Sequence, residues 1–504
     1  MSQLKAGVAL NYVIILLNTL VGLLYTPYML RMLGQSEYGL YSLVASVISY
    51  LTILDLGFGN AIVRYTAKFR TEGKQTEQYE MFGMFFLLYI AIGVFVLLLG
   101  SLLYFNVNVI FDKTMTIAEI EKAQVMLLLL VFNLAFTFPM SIFGSIIKAY
   151  ERFVFPRILN IIRIVLNTVV MICLLYMGYK TLALVVVQTI FNVLTLILNH
   201  IYCKKKLNIK MYFRNFRWEF LKEVAIYSFW IFLNAIMDRI YWSTGQFVLG
   251  ATVGTAAVAV FAVAIQLEHM YMMFSTSISS VFLPKVTGMV TTSNDKKMIS
   301  DLFIRTGRIQ FIVMSLILSG FIVFGKQFIL LWAGPGYEDA YIITLLFFVA
   351  LFIPLIQNLG ITILQARNQM KFRSLLYIGI AVLALIFQVV LAKKYEGIGC
   401  AFAVAGALLL GQGLIMNIYY QKRQGIDIVA FWKEIIRMSI IPALVTCLFF
   451  YIVSSFNMNS WFNWMLGVGM FSVIYIPLFY IFSMNRYEKE LSLAPIRKIF
   501  AHKV

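Results

Sequence analysis

LDLGFGNAIVRY, Leu54 to Tyr65, sets a carboxylate, two glycines and an arginine inside an otherwise apolar run. In a soluble chain, Gly57-x-Gly59 would invite comparison with a phosphate-cradling loop, which needs a strand before it and a helix after it. In a membrane the same glycines let helices approach closely, and the charges become costly unless paired or wet. The surroundings therefore decide the reading.

They are membrane-like throughout. Of the 504 residues 62% are hydrophobic and 12% charged, against about 45–50% and about 25% in soluble domains, and mean hydropathy is +0.88. Apolar runs recur along the whole chain, each long enough as a helix to cross a hydrocarbon core of about 30 Å. The expected fold is an all-α polytopic membrane protein with fourteen spans: 7–30, 38–68, 81–105, 123–148, 155–178, 181–203, 222–249, 254–285, 303–330, 340–366, 371–393, 397–420, 433–456 and 461–484. The second and eighth exceed a bilayer's needs and should tilt, kink or project. The glycine stretch then falls in mid-span, where a nucleotide loop has no place. The first run reads as a retained helix, not a signal peptide. The four cysteines lack metal or redox spacing.

Basic residues set the orientation, because short cytoplasmic loops retain positive charge. With the N-terminus inside, 33 of the 41 Lys and Arg fall in inner loops and tails and 7 in outer loops, with Arg239 left deep in a span. Both termini are expected in the cytoplasm. The net charge of +19 is thus a topology signal divided among short loops, not a nucleic-acid surface. The densest cluster, Lys204 to Lys222, suits an anionic inner leaflet.

An internal repeat organises the spans. At an offset of 216, Asn18 meets Asn234, Tyr25 meets Tyr241 and Leu33-Gly34 meets Leu249-Gly250; at 217, Ile147–Phe155 falls on Leu364–Phe372. Six spans separate the copies, so the repeat is parallel. The expected organisation is an N-lobe at 1–203, a basic linker at 204–221, a C-lobe at 222–420, a second linker at 421–432, two trailing helices at 433–484 and a cytoplasmic tail at 485–504. Lobes of this kind rock about a site between them.

Polar groups within the spans are the functional candidates. Asp55 lies about 25 Å along its helix, and Arg64 nears the inner edge. Asn234, Asp238, Tyr241 and Gly245 share one helical face, with Arg239 turned about 100° away. Asn11, Asn18 and Tyr25 form the counterpart face in the first lobe. Glu268-His269 occurs near mid-span. No catalytic constellation, metal cluster or cofactor motif emerges.

Pro27-Tyr-x-x-Arg31-x-Leu-Gly34-x-x-x-Tyr-Gly-Leu-Tyr41, followed by the Leu54–Tyr65 stretch, resembles the opening of the Wzx-type polysaccharide flippases of the multidrug/oligosaccharidyl-lipid/polysaccharide exporter superfamily. The resemblance implies a transporter of undecaprenyl-pyrophosphate-linked oligosaccharide, such as an O-antigen repeat unit, across the bacterial plasma membrane. It also implies membrane lipids around the chain, a polysaccharide polymerase and chain-length machinery as partners, and H+ or Na+ as a coupling ion. Arg31, Arg64, Arg163 and Arg239 then become pyrophosphate candidates, since a guanidinium fork can bind two oxygens. Asn11, Asn18, Asn234, Tyr25 and Tyr241 become sugar ligands, and Asp55, Asp238 and Glu268 ion-coupling groups. A groove beside residues 433–484 would hold the lipid tail. The rival readings are a multidrug or cation antiporter, which should have an acidic cavity, and a lipid-linked peptidoglycan precursor flippase. A glycan polymerase or ligase would need a sizeable outer loop, which is lacking.

Overall fold

The repeat has a counterpart in three dimensions. Phe155 stacks on Tyr202 with ring centroids 4.0 Å apart and planes at 13°, and Phe372 stacks on Tyr419 at 4.1 Å and 11°. Both members of the second pair lie 217 positions after those of the first. This computed structural model describes residues 3–492 except 215, 217, 281–285, 287, 290–294, 368 and 457. The end of the 254–285 span, most of the 485–504 tail, and the basic residues Arg217 and Lys285 lie outside the described residues.

All described regular structure is helical. In chain order the helices are α1 (Gln3–Leu33), α2 (Gln35–Leu51), α3 (Phe58–Thr71), α4 (Gln75–Phe111), α5 (Ile117–Ala149), α6 (Val154–Tyr176), α7 (Thr181–Lys206), α8 (Trp218–Trp242), α9 (Thr244–Thr252) and α10 (Thr255–Ser280). There follow α11 (Lys296–Trp332), α12 (Asp339–Ile356), α13 (Leu359–Ala366), α14 (Lys371–Leu408), α15 (Met416–Tyr419) between two π-helical turns, α16 (Ile428–Ser454) and α17 (Trp461–Phe482). Among the described residues twelve helical runs are long and apolar enough to cross a membrane. One of them, Lys371–Gln424, has 54 residues, far more than the ~20 a bilayer needs. Glu396, at φ 47° and ψ −132°, breaks it into two passes. The long α8 accounts for the remaining expected span. The protein is an all-α, multi-pass membrane protein with pseudo-symmetric lobes.

Several spans that the sequence presents as continuous are broken. The second reads as one helix from 38 to 68, but Thr52–Asp55 winds as a 3-10 turn. Leu56 and Gly57 then turn left-handed, at φ 51° and 72°. Glycine adopts that conformation without steric cost, whereas leucine must be held in it. Gly57 thus belongs to a helix break, while Gly59, in the first turn of α3, approaches α5 closely enough that an added Cβ would come within 3.2 Å of Ser145 Oγ. The seventh span breaks at Ser243 and the tenth at Gln357-Asn358.

The chain forms two compact units, Met1–Ala262 with Ala392–Glu396, and Val263–Leu391 with Gly397–Val504. Span seven, which the repeat assigns to the C-lobe, packs with the first unit as α8 and α9. Within that unit α5 is central, in contact with α2, α3, α4 and α7, while α1 packs on α6. In the second unit α11 is central, against α12, α16 and α17.

Candidate functional site

In the first unit the broken ends of spans two and seven cross. The Ser49 hydroxyl donates to Ser243 Oγ at 2.9 Å, and the Tyr50 hydroxyl pairs with Thr244 Oγ1. Arg239 Nη2 donates to Thr52 Oγ1 at 3.3 Å, while its Nε is buried without a partner. Broken backbone is tolerated at membrane depth where side chains or water satisfy it, and the hydroxyls of Ser49, Thr52 and Thr244 reach backbone carbonyls here. The result is a guanidinium with unused donor capacity in a ring of hydroxyls, which is suited to an anion.

Asp55 ends the 3-10 turn next to this crossing. Its Oδ1 accepts the Tyr89 hydroxyl at 2.9 Å, so the carboxylate is engaged in holding the break against α4. The face expected along Asn234, Asp238, Tyr241 and Gly245 is interrupted. Asp238 is exposed, Tyr241 is 1% exposed, and Gly245 lies beyond the break in α9. Arg31 and Arg64 are exposed, and Arg64 lies 5.8 Å from the Tyr65 ring centroid. Asn11 is half-exposed near the start of α1, as is Asn234 on α8. The Tyr25 hydroxyl donates to Met171 Sδ at 3.4 Å.

Two of the candidates do converge. Asn18 of α1 and Arg163 of α6 line one cavity of about 350 Å³ with Asn133 of α5, Asn167 of α6, and Gln188 and Asn192 of α7. Arg163 counted as a loop charge in the topology reading, yet it sits in the third turn of α6. The sequence carried a signal for the other members, namely polar pairs at i, i+4 within apolar helices: Arg163/Asn167 and Gln188/Asn192.

The second unit offers a contrasting site. An apolar groove of about 290 Å³ is bounded by Tyr271 of α10, Phe321 and Phe324 of α11, Phe348 of α12, and Trp464 and Phe471 of α17. Trp464 Nε1 donates to the Phe324 carbonyl at 3.2 Å, and the Tyr475 hydroxyl donates to Ser315 Oγ at 3.0 Å, fixing α17 on α11. Arg308, also counted among the loop charges, is 6% exposed. Its Nε and Nη2 reach Glu488 at 2.6 and 3.0 Å, and its Nη1 reaches Glu434. Glu268 has no exposed surface. His269 Nδ1 is 3.3 Å from Glu268 Oε2, but neither carboxylate oxygen has a partner in hydrogen-bonding geometry.

Helical lobes of repeated build, with broken spans and one polar and one apolar space, define a multi-pass membrane protein of the transporter fold. Solved structures agree on the fold. A lipid II flippase, MurJ, in an inward closed conformation matches at TM-score 0.69 and 17% identity, over 94% of this chain and 98% of that one. An inward-facing multidrug resistance MATE family transporter of the MOP superfamily matches at 0.59 and 14% identity, over 82% and 99%. The sequence matches the family described as polysaccharide biosynthesis protein over residues 4–290, and the chain belongs to that family. It is 20% identical to the uncharacterized membrane protein EpsK of Bacillus subtilis, across 97% of each chain. It is 19% identical to a putative O-antigen transporter of Shigella flexneri, over 80% of this chain and 94% of that one.

Proposed function

We propose that this transporter moves a lipid-linked oligosaccharide, carried on undecaprenyl pyrophosphate, to the outer leaflet of the bacterial plasma membrane by alternating access, with both termini in the cytoplasm. The observation that carries this reading is one chain holding two chemically opposite spaces, a polar cavity of about 350 Å³ with a guanidinium and a wholly apolar groove of about 290 Å³. A cargo with a sugar head and an isoprenoid tail needs both. The family and the O-antigen relative support it. Arg239, among the hydroxyls of Ser49, Tyr50, Thr52, Ser243 and Thr244, is the proposed pyrophosphate anchor. Glu268 is the proposed coupling group, since a buried carboxylate without donors must be neutralised by a proton or a monovalent cation. A cation antiporter is disfavoured because no acidic residue lines the polar cavity.

The lipid II flippase match on the fold favours a second reading, transport of a peptidoglycan precursor. Proteoliposomes loaded with labelled undecaprenyl-pyrophosphate oligosaccharide distinguish the two. The protein is expected to expose the glycan to an added glycosidase. Arg239→Gln should slow this at least ten-fold, and Glu268→Gln should abolish its dependence on an ion gradient. Movement of peptidoglycan precursor alone would establish the second reading. Normal glycan movement by Arg239→Gln would remove the anchor.

A further inference from the structure

The polar cavity of the first unit has a donor surplus that a neutral sugar does not require. Asn192 Nδ2 donates to Asn133 Oδ1 at 2.8 Å and to Thr137 Oγ1 at 2.8 Å, so the Asn133 carbonyl is already occupied. Gln188 Oε1 accepts the Tyr41 hydroxyl at 2.9 Å, so that acceptor is also used from the protein side. What remains for an occupant is the amide nitrogens of Asn133 and Gln188, the whole amide of Asn18, the Asn192 carbonyl oxygen and the Arg163 guanidinium. Arg163 makes no ion pair among the described residues, and no carboxylate lines the space. Asn167 Oδ1 is buried away from the accessible surface, so the acceptor left for a hydroxyl is Asn192 Oδ1. An arginine at the middle of a span costs about 2.5–3.5 kcal/mol even on insertion scales, so a fixed positive charge is retained here without a counter-charge from the chain.

The volume is at the lower end of the range for small-molecule pockets, roughly 300–1,000 Å³, and equals about ten waters. That is room for one sugar ring with its substituents. The position also matters, because the cavity lies wholly among α1, α5, α6 and α7, apart from the Arg239 crossing.

We propose that this cavity is a subsite for a carboxylate-bearing sugar, a hexuronate or a related acidic residue of the cargo glycan. Arg163 takes the carboxylate through its fork, the nitrogens of Asn133 and Gln188 donate to the remaining oxygens, and Asn192 Oδ1 accepts a ring hydroxyl. The proposal rests on the glycan-transport reading and narrows it to acidic repeat units.

Saturation-transfer NMR on the full-length protein in lipid nanodiscs tests it, with D-glucuronate, D-glucose and acetate as probes. The wild type should bind glucuronate at least ten-fold more tightly than glucose, and acetate should displace it only at about ten-fold higher concentration. Arg163→Gln should bring the glucuronate-to-glucose ratio to about one, while Arg163→Lys, which keeps the charge, retains part of the preference. Equal binding of glucuronate and glucose by the wild type overturns the proposal, whatever the variants do. Displacement by acetate at equal concentration overturns its sugar component and leaves a simple anion site. A preference that survives Arg163→Gln in folded protein overturns the role of Arg163. Failure of the transport reading shows differently, as no movement of any lipid-linked glycan in proteoliposomes.

Discussion

The two units share a repeat, yet their enclosed spaces have opposite chemistry. The stacked pairs Phe155–Tyr202 and Phe372–Tyr419 have nearly the same geometry at the same sequence offset. The first unit nevertheless encloses amides and a guanidinium, while the second encloses phenyl and indole rings. Duplication preserved the scaffold and left the linings free to diverge, because helix packing depends on a few close contacts and cavity chemistry on the residues between them. In the second unit α17 supplies a wall of the groove.

That attachment gives the largest expected effect. Replacing Glu488 and Glu434 together by Ala leaves the buried Arg308 guanidinium with no carboxylate partner, and breaking such a pair costs about 3–5 kcal/mol. Thermal unfolding in detergent should shift strongly downward, and α17 should become accessible to protease before the first unit does. An unchanged melting temperature would mean that the groove wall is held by apolar packing alone.

The next prediction separates the chemistry of the groove from its stability. Gly320 faces open space in the groove, with no atom within 4 Å of a built Cβ. Gly320→Leu should fill that space while improving helix propensity by about 0.8 kcal/mol. The folded protein should be as stable as wild type or more so, and movement of lipid-linked glycan should fall about ten-fold. Transport at the wild-type rate would show that the cargo's tail does not use this groove.

The smallest effect tests what the units share. Phe155→Leu and Phe372→Leu each remove one stacked pair, worth about 0.5–1.5 kcal/mol beyond burial. The two losses, read by denaturant titration, should agree to within about 0.5 kcal/mol. Clearly unequal losses would mean that the matched geometry is not matched energetically, and the comparison between units would then rest on backbone alone.

Much of this organisation was legible in the residues. Apolar runs, the placement of Lys and Arg, and the Phe155/Phe372 register gave spans, an expected orientation and repeat. Asn18 is recognisable because a polar group in an apolar span is costly and so stands out, whereas Arg163 becomes a candidate only through the family resemblance. The breaks were harder to see. Leu54–Tyr65 reads as continuous helix because its apolar pattern continues through Gly57, and nothing local reveals that Leu56 is held left-handed. Arg308 and Arg163 count as loop charges for a related reason, since a sequence window does not distinguish a solvated arginine from a buried one.

The sequence alone determined that this chain is a many-span helical membrane protein built on a repeat, because hydrophobic length and charge placement are properties of individual segments. Only the tertiary structure decided where the helices break, that Asp55 is engaged by Tyr89, and that Arg163 and Asn18 meet in a cavity with residues from α5 and α7. It also decided that Arg308 joins Glu434 to Glu488. These contacts join side chains from separate helices, and their energies depend on distance and burial, which no single segment specifies.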